Sequence, residues 1–328
     1  MTRTWRALGA VVAGSLALTL AGCGGSDAGT GAAGSKQLTI GFVPGIASDP
    51  FFKAMQIGAE AKAKELNVKL LWQGAPDEYS PQSQIPFVDT MLTQKVDGLV
   101  LVPTDPDALQ PSVAKAKALK IPVVTVDTTV TDQSYLTSYI TGDNVDGGKL
   151  AAQTLAKQIG DAGEVFLMSG SPSATTNRLR EQGFKDELKN HPNITLVGTE
   201  YSNSQPAKAT SAVNTILLKH PNLKGIFAVD GTSGTGTVAA LRNSGKANKV
   251  KLVGYDAYEN QVADLKAGVF SALIAQKPGD EAAQALDDLV KVLKGTGTAS
   301  INKSVVLSNV VITADNLSET SKYQYPAK

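Results

Sequence analysis

The chain is poor in the residues that carry most enzyme chemistry. Its 328 residues include one cysteine and two histidines. One cysteine excludes an internal disulfide framework and a cysteine-based metal cluster. Two histidines leave little material for general-base catalysis, and no metal-ligand spacing of His, Cys or carboxylates is visible. His191 and His220 each stand just before a proline at the end of a helical pattern, which reads as a helix stop. Aromatic residues are scarce at 5%, and no charge excess exists, with 31 Lys+Arg against 30 Asp+Glu. That balance argues against a nucleic-acid partner, which calls for a basic surplus.

What is present begins with an address. Arg3 and Arg6 precede an uncharged apolar run of 14 residues, Ala7 to Leu20. The run is short for a bilayer span and reads as the core of a secretory signal. Leu20-Ala21-Gly22-Cys23 follows and resembles a lipobox, with Cys23 as the lipidation site. The expected organisation is therefore a lipoprotein signal peptide over residues 1–22 and a flexible Gly/Ser/Ala tether over 23–36. The protein is expected outside the cytoplasm, lipid-anchored at the cell membrane (outer face of the cytoplasmic membrane or periplasm).

After the tether, apolar runs alternate with helical patterns. Leu38–Val43 reads as a strand, and Asp49-Pro50 supplies an N-cap and a first-turn proline. Phe52, Met55, Ala59, Ala63 and Leu66 then recur at steps of three and four, the spacing of a helix. Further strands are expected at Val68–Trp72, Leu99–Val102 and Ile121–Val126. Six more fall near 139–141, 164–168, 194–198, 225–229, 250–254 and 271–274. Strands alternating with helices imply βαβ units and parallel sheets. About ten strands suit two doubly wound α/β domains better than one sheet.

In such sheets ligands bind beyond the carboxyl ends of the strands. Asp127 directly follows Val123-Val124-Thr125-Val126, Asp230 follows Ile226-Phe227-Ala228-Val229, and Asp256 follows Leu252-Val253-Gly254-Tyr255. Gln276 follows Ala272-Leu273-Ile274-Ala275, and Asp49 lies after the first strand. Carboxylates accept hydrogen bonds from hydroxyls, so a cluster of them suits a ligand rich in O–H donors. Three or four charge-assisted bonds of roughly 1.5–3 kcal/mol each, with aromatic stacking, suffice for micromolar affinity. Each aspartate has a plainer role open to it, as the cap of the helix that follows. Phe51-Phe52 and Trp72 stand near the same rim, where they either stack on a ligand or pack in the core.

Several segments resemble one family. Gly41-Phe42-Val43, Ser48-Asp49-Pro50-Phe51-Phe52, Lys95-Val96-Asp97-Gly98-Leu99-Val100, Pro103-Thr104-Asp105 and Ile121 through Asp127 are similar, in order, to the ribose-binding family of ABC-transporter substrate-binding proteins. So are Asp143-Asn144, Gly147-Gly148, Arg180-Glu181-Gln182-Gly183-Phe184 and Val253-Gly254-Tyr255-Asp256. The likeness spans nearly all of residues 37–310. It implies a type I periplasmic binding protein: two doubly wound Rossmann-like domains joined by a three-strand hinge, closing on one sugar and docking on a permease. By resemblance, sugar contacts fall on Asp49, Phe51, Phe52, Asp127, Arg180, Asp230, Tyr255, Asp256 and Gln276. A branch with rhamnose-type and autoinducer-2-type binders adds Asn177. The lobes are expected at 37–141 with 277–308, and at 142–276 with 309–328.

The chain also departs from the ribose binders. It has Thr128 where they carry arginine, Val102 and Asp230 where they carry asparagine, and Tyr201-Ser202-Asn203-Ser204 where they place an aromatic. These differences argue against ribose itself.

The expectation is thus an extracytoplasmic solute-binding lipoprotein of an ABC importer. It is not an enzyme, and it needs no cofactor or metal. It binds a neutral monosaccharide or sugar alcohol, works with permease subunits and the membrane, and is monomeric by resemblance. The alternative is a sugar or autoinducer-2-type receptor feeding a signalling system. Gly234-Thr235-Gly236-Thr237-Val238-Ala239 matches a dinucleotide fingerprint. Asp230 just before it disfavours a pyrophosphate there.

Overall fold

A computed structural model describes residues 36–325; the signal, Cys23 and most of the tether lie outside the described residues. From Thr39 onward, strands and helices alternate. The first half runs β1 (Thr39–Val43), α1 (Pro50–Leu66), β2 (Lys69–Trp72), α2 (Pro81–Thr93), β3 (Gly98–Leu101), α3 (Gln110–Ala118), β4 (Val123–Val126) and β5 (Ser138–Gly142). There follow α4 (Asn144–Ile159), β6 (Gly163–Ser169), α5 (Thr175–Leu188), β7 (Ile194–Tyr201), α6 (Pro206–Lys219), β8 (Gly225–Ala228) and α7 (Gly231–Asn243). The last part is β9 (Lys251–Tyr255), α8 (Glu259–Lys266), β10 (Ala272–Ala275), α9 (Pro278–Lys294), β11 (Ser304–Leu307) and β12 (Val310–Ile312).

The strands form two six-stranded sheets, ordered β2-β1-β3-β4-β5-β11 and β7-β6-β8-β9-β10-β12. All pairings are parallel except β10 with β12. The central strands β3, β4, β8 and β10 are buried along their whole length, as expected of strands covered by helices on both faces. The α/β doubly wound expectation holds. The ten strands read from sequence are all present, and β11 and β12 are additions. Both are short and half-exposed, so neither forms the continuous apolar run that marks a buried strand.

The chain passes between the sheets three times: from β5 to α4, from β10 to α9, and from β11 to β12. The two lobes are built alike. In the second, α4 covers β8, β9 and β10; in the first, α9 covers β3, β4 and β5. Each of these helices also packs against the helix that follows the first strand of its lobe, α4 on α5 after β6 and α9 on α1 after β1. Glycines set both approaches. A Cβ on Gly58 would lie 2.4 Å from Gly279 Cα; one on Gly183 would lie 2.0 Å from the Val145 carbonyl oxygen, and one on Gly148 2.0 Å from the Arg180 carbonyl oxygen.

Local capping fixes where the helices begin. Asp49 accepts a hydrogen bond from the Phe51 N–H at 2.8 Å and Pro50 opens α1, while Asn67 closes it in a left-handed conformation. Asp230 accepts from the Ser233 N–H at 2.7 Å and starts α7. Gly234 and Gly236 then lie inside α7, where a Cβ on Gly236 would come 2.2 Å from the Pro206 carbonyl oxygen. Those glycines of the fingerprint-like run serve helix packing.

Gly183 offers the cleanest check, since its neighbour is backbone and has no rotamer to move. Gly183→Ala is expected to cost about 1–3 kcal/mol or more through overpacking. Urea denaturation would show the loss as a lower midpoint, and an unchanged midpoint would refute the close approach of α4 and α5.

Candidate functional site

The strand ends of both lobes face one another across a cavity of about 60 Å³. Nine of the ten binding residues expected from sequence line it. Asp49, Phe51, Phe52 and Asp127 come from the first lobe; Asn177, Arg180, Asp230, Asp256 and Gln276 come from the second. Tyr255 does not line it. It is fully buried, with the Arg180 guanidinium 3.8 Å above its ring and its hydroxyl 3.3 Å from Asn309 Oδ1. Tyr255 supports a site residue from beneath. Trp72 packs on Phe42 at 4.3 Å between ring centroids and also stays out of the cavity.

Asp127 and Asp256 occupy matching positions, each directly after the fourth strand of its lobe counted from the β2 or β7 edge. Neither is the N-cap residue of a helix. Both have left-handed backbones, with φ of 61° and 73°. Each N–H bonds the neighbouring strand, Asp127 to the Ile140 carbonyl at 2.8 Å and Asp256 to that of Ile274 at 2.9 Å. The Asp127 carbonyl accepts from the hydroxyls of Tyr139 (3.0 Å) and Thr141 (2.8 Å). Aspartate tolerates this region better than most residues, and the surrounding bonds hold it there. The turn lifts each side chain off the sheet edge and into the cleft.

Arg180 lies at the floor of the cavity and is only 3% exposed. It donates from Nε to Asn144 Oδ1 at 2.7 Å, from Nη1 to the Val229 carbonyl at 3.1 Å and from Nη2 to Gln276 Oε1 at 2.8 Å. Three of five N–H donors are thereby used. Asp127 of the other lobe stands 3.8 Å from Nη2.

The aspartates differ in how fully they are satisfied. Asp256 accepts from Gln276 Nε2 (2.8 Å), the Tyr325 hydroxyl (3.2 Å) and the Gly231 N–H (2.9 Å). Asp49 accepts from Phe51 N–H and from the Tyr258 hydroxyl at 2.7 Å. Asp230 caps α7 and meets Asn177 Nδ2 at 3.5 Å. The Asp127 carboxylate takes no hydrogen bond from the described residues, although it is 7% exposed. Burial pushes Asp127 up to about 7; Arg180 opposes this, and Asp256 and Asp49 add to it. Burial also raises Asp256, against the pull of Arg180 and Gln276. A buried carboxylate that faces a cavity and takes no hydrogen bond is what an incoming hydroxyl donor would satisfy.

Tyr258, Thr232, Ser204, Ala174, Ile46 and Tyr79 also line the cavity and were not anticipated, as does Thr176 beside the expected Asn177. They lie in loops and first helical turns, where neither period of two nor 3.6 operates. The one available signal was position, since Tyr258 stands two residues after Asp256. Among the described residues no group of three or more His, Cys, Asp or Glu side chains is placed to hold a metal ion. No described helix is long and apolar enough to cross a membrane.

Comparison with known proteins agrees with this architecture. Residues 40–297 match the family model described as "Periplasmic binding protein domain". The ribose import binding protein of Bacillus subtilis is 30% identical over 268 residues, covering 81% of this chain and 86% of that protein. An ABC transporter solute-binding protein from Agrobacterium vitis, solved with α-D-tagatopyranose, superposes with a TM-score of 0.85 at 32% identity, covering 88% of this chain and all of the other. A second from the same organism, with D-fucose, gives 0.83 at 29% identity, again over 88% of this chain and 100% of its own. The chain belongs to the periplasmic binding protein family, in the ribose-binding-like sugar-binding branch of ABC-transporter solute-binding proteins, which are not enzymes.

Behind the cavity lies one unexplained group. Glu281, in the first turns of α9, is fully buried and both its carboxyl oxygens lack a hydrogen-bond partner. Burial raises its pKa well above the ordinary carboxylate range, and Asp127 raises it further. A raised folded-state pKa contributes stability that is complete below the unfolded value and is lost as pH rises through the folded one. Glu281→Gln keeps the shape of the neutral acid. It is expected to raise the melting temperature at pH 8, with the gain shrinking towards pH 4; a destabilised variant at pH 8 would show that Glu281 is held as a charge.

Proposed function

We propose that this member of the periplasmic binding protein family is an extracytoplasmic lipoprotein that takes a neutral monosaccharide or sugar alcohol into the cleft and delivers it to the permease of an ABC importer. The reading rests on one observation above all. Asp127 and Asp256, from the two lobes, flank a cavity, and Asp127 offers it a buried carboxylate that faces Arg180 at 3.8 Å but takes no hydrogen bond from the described residues. A ligand with several hydroxyls supplies donors to these carboxylates, and the free N–H groups of Arg180 supply donors to its ring or hydroxyl oxygens. Phe51 and Phe52 form the apolar side of the cavity, their rings 5.1 Å apart and nearly perpendicular. An apolar face of a sugar ring suits that wall. Arg180 is the one cationic side chain among the described lining residues, so an anionic sugar would find a single cationic partner there, already shared with Asp127.

Names of similar proteins specify ribose, apiose and allose, and similar solved structures hold tagatose, fucose, allose or arabinose, so the ligand class has support from relatives as well as from the cavity. The Leu20-Ala21-Gly22-Cys23 run suits acylation at Cys23, which would keep the receptor at the membrane beside its permease; the resemblance implies a monomer.

Calorimetric titration of the protein lacking its leader with D-ribose, D-tagatose, D-fucose and common sugar alcohols tests the ligand. At least one is expected to bind with micromolar affinity or better, and Asp127→Ala to weaken it about 100-fold or more, since at least one charge-assisted bond is lost and a cavity is left. Failure of every sugar and polyol, or equal affinity in the variant, would refute the reading. Cys23→Ser is expected to move the protein from the membrane fraction to the soluble fraction of its host; retention in membranes would refute the anchor.

A further inference from the structure

Two of the three passages between the lobes reach Arg180 directly, through Asn144 and Gln276. The third reaches it through an intermediary. Asn309, between β11 and β12, accepts from the Tyr255 hydroxyl at 3.3 Å, and the Tyr255 ring lies 3.8 Å from the guanidinium. Asn309 does not line the cavity. We propose that Asn309 is a positioning residue for ligand binding, setting through Tyr255 the height of the Arg180 guanidinium at the cavity floor; its effect on affinity rests on the sugar-binding reading above.

The place of the Tyr255 hydroxyl is built by its neighbours. Gly147, in the first turn of α4, leaves the space for it: a Cβ there would stand 2.0 Å from the Tyr255 hydroxyl oxygen and 2.9 Å from Asn309 Nδ2. Asn309 is itself anchored, because its Nδ2 donates to the Asp143 carbonyl at 2.6 Å. That bond fixes which end of the amide is the acceptor for the tyrosine, and it joins the third passage to the first. Tyr255 is fully buried, so its hydroxyl needs an acceptor inside the protein, and Asn309 supplies it.

The direction of this support matters. Arg180 bonds Asn144, Val229 and Gln276 through N–H groups that lie in the guanidinium plane. Such bonds resist sliding within the plane. Movement across the plane is opposed by the ring packed against it. A displaced ring would tilt the donors left for a ligand, and hydrogen bonds weaken steeply as their angle closes. Asn144, Val229, Tyr255, Gln276 and Asn309 all lie in the second lobe or its passages, so the arrangement does not require the lobes to be together.

The test uses Tyr255→Phe, which removes only the hydroxyl, Asn309→Leu, which keeps the side chain's size, and the double variant, all in protein lacking its leader. Beyond residue 22 the chain has three arginines, Arg178, Arg180 and Arg242, so its arginine Nε–Hε resonances are few. NMR spectra are recorded after unfolding, dialysis and refolding to strip any bound sugar. Both single variants are expected to shift the Arg180 resonance and hasten its exchange with water, leaving Arg178, Arg242 and the circular dichroism spectrum unchanged. An unmoved Arg180 resonance would overturn the proposal. This arm contains no sugar, so it decides the positioning separately from the sugar-binding reading. With a sugar that calorimetry shows to bind, each single variant is expected to weaken affinity roughly three- to tenfold, and the double variant no more than the weaker-binding single, since one bond is lost in all three. Unchanged affinity, or losses that add in the double variant, would also overturn it.

Discussion

A single guanidinium organises the site. Arg180 is almost wholly buried, and a buried charge is tolerated only when it is paired and hydrogen-bonded. Its bonds reach the first turn of α4 through Asn144, the end of β8 through Val229, and the crossover after β10 through Gln276, while its plane rests on Tyr255. It therefore ties a strand end of the second lobe to two of the three passages between the lobes. Its remaining charge faces Asp127 of the first lobe across 3.8 Å. The cavity exists where that charge is balanced jointly by both lobes.

The two lobes repeat one construction, and the site inherits its symmetry. Matching strands end in Asp127 and Asp256, both turned into the left-handed region and both bonded to the adjacent strand. The environments then diverge. Asp256 already accepts three hydrogen bonds, from Gln276, Tyr325 and Gly231, whereas Asp127 accepts none from the described residues. One carboxylate is thus fixed as a rigid wall, and its counterpart is free to receive donors. Asp49 and Asp230 combine two duties, each starting a helix with one oxygen while bordering the cavity. The helix-cap reading and the binding reading of such residues are compatible.

The order of elements was readable because parallel strands covered on both faces are short apolar runs, and helices between them show their own period. The aspartates were readable because position after such a run is meaningful in a doubly wound sheet. Where adjacent residues compete, the sequence is silent. Tyr255 and Asp256 are neighbours at the end of β9, and backbone direction alone decides that the tyrosine lies under Arg180 while the aspartate enters the cleft. Tyr258 and Thr232 escaped notice because loop and first-turn residues obey no period and their partner, Asp49, is about 200 positions away along the chain. Glu281 sits in an ordinary helical first turn, and nothing local signals that both its oxygens are buried without partners.

The central claim is that both lobes grip one hydroxyl-bearing ligand between their strand ends. A crystal structure of the protein grown with its tightest-binding sugar tests it most directly. The account predicts the sugar ring against Phe51 and Phe52, with a hydroxyl donating to Asp127 and an oxygen accepting from Arg180. A sugar bound elsewhere, or one that leaves Asp127 without a ligand contact, would contradict it.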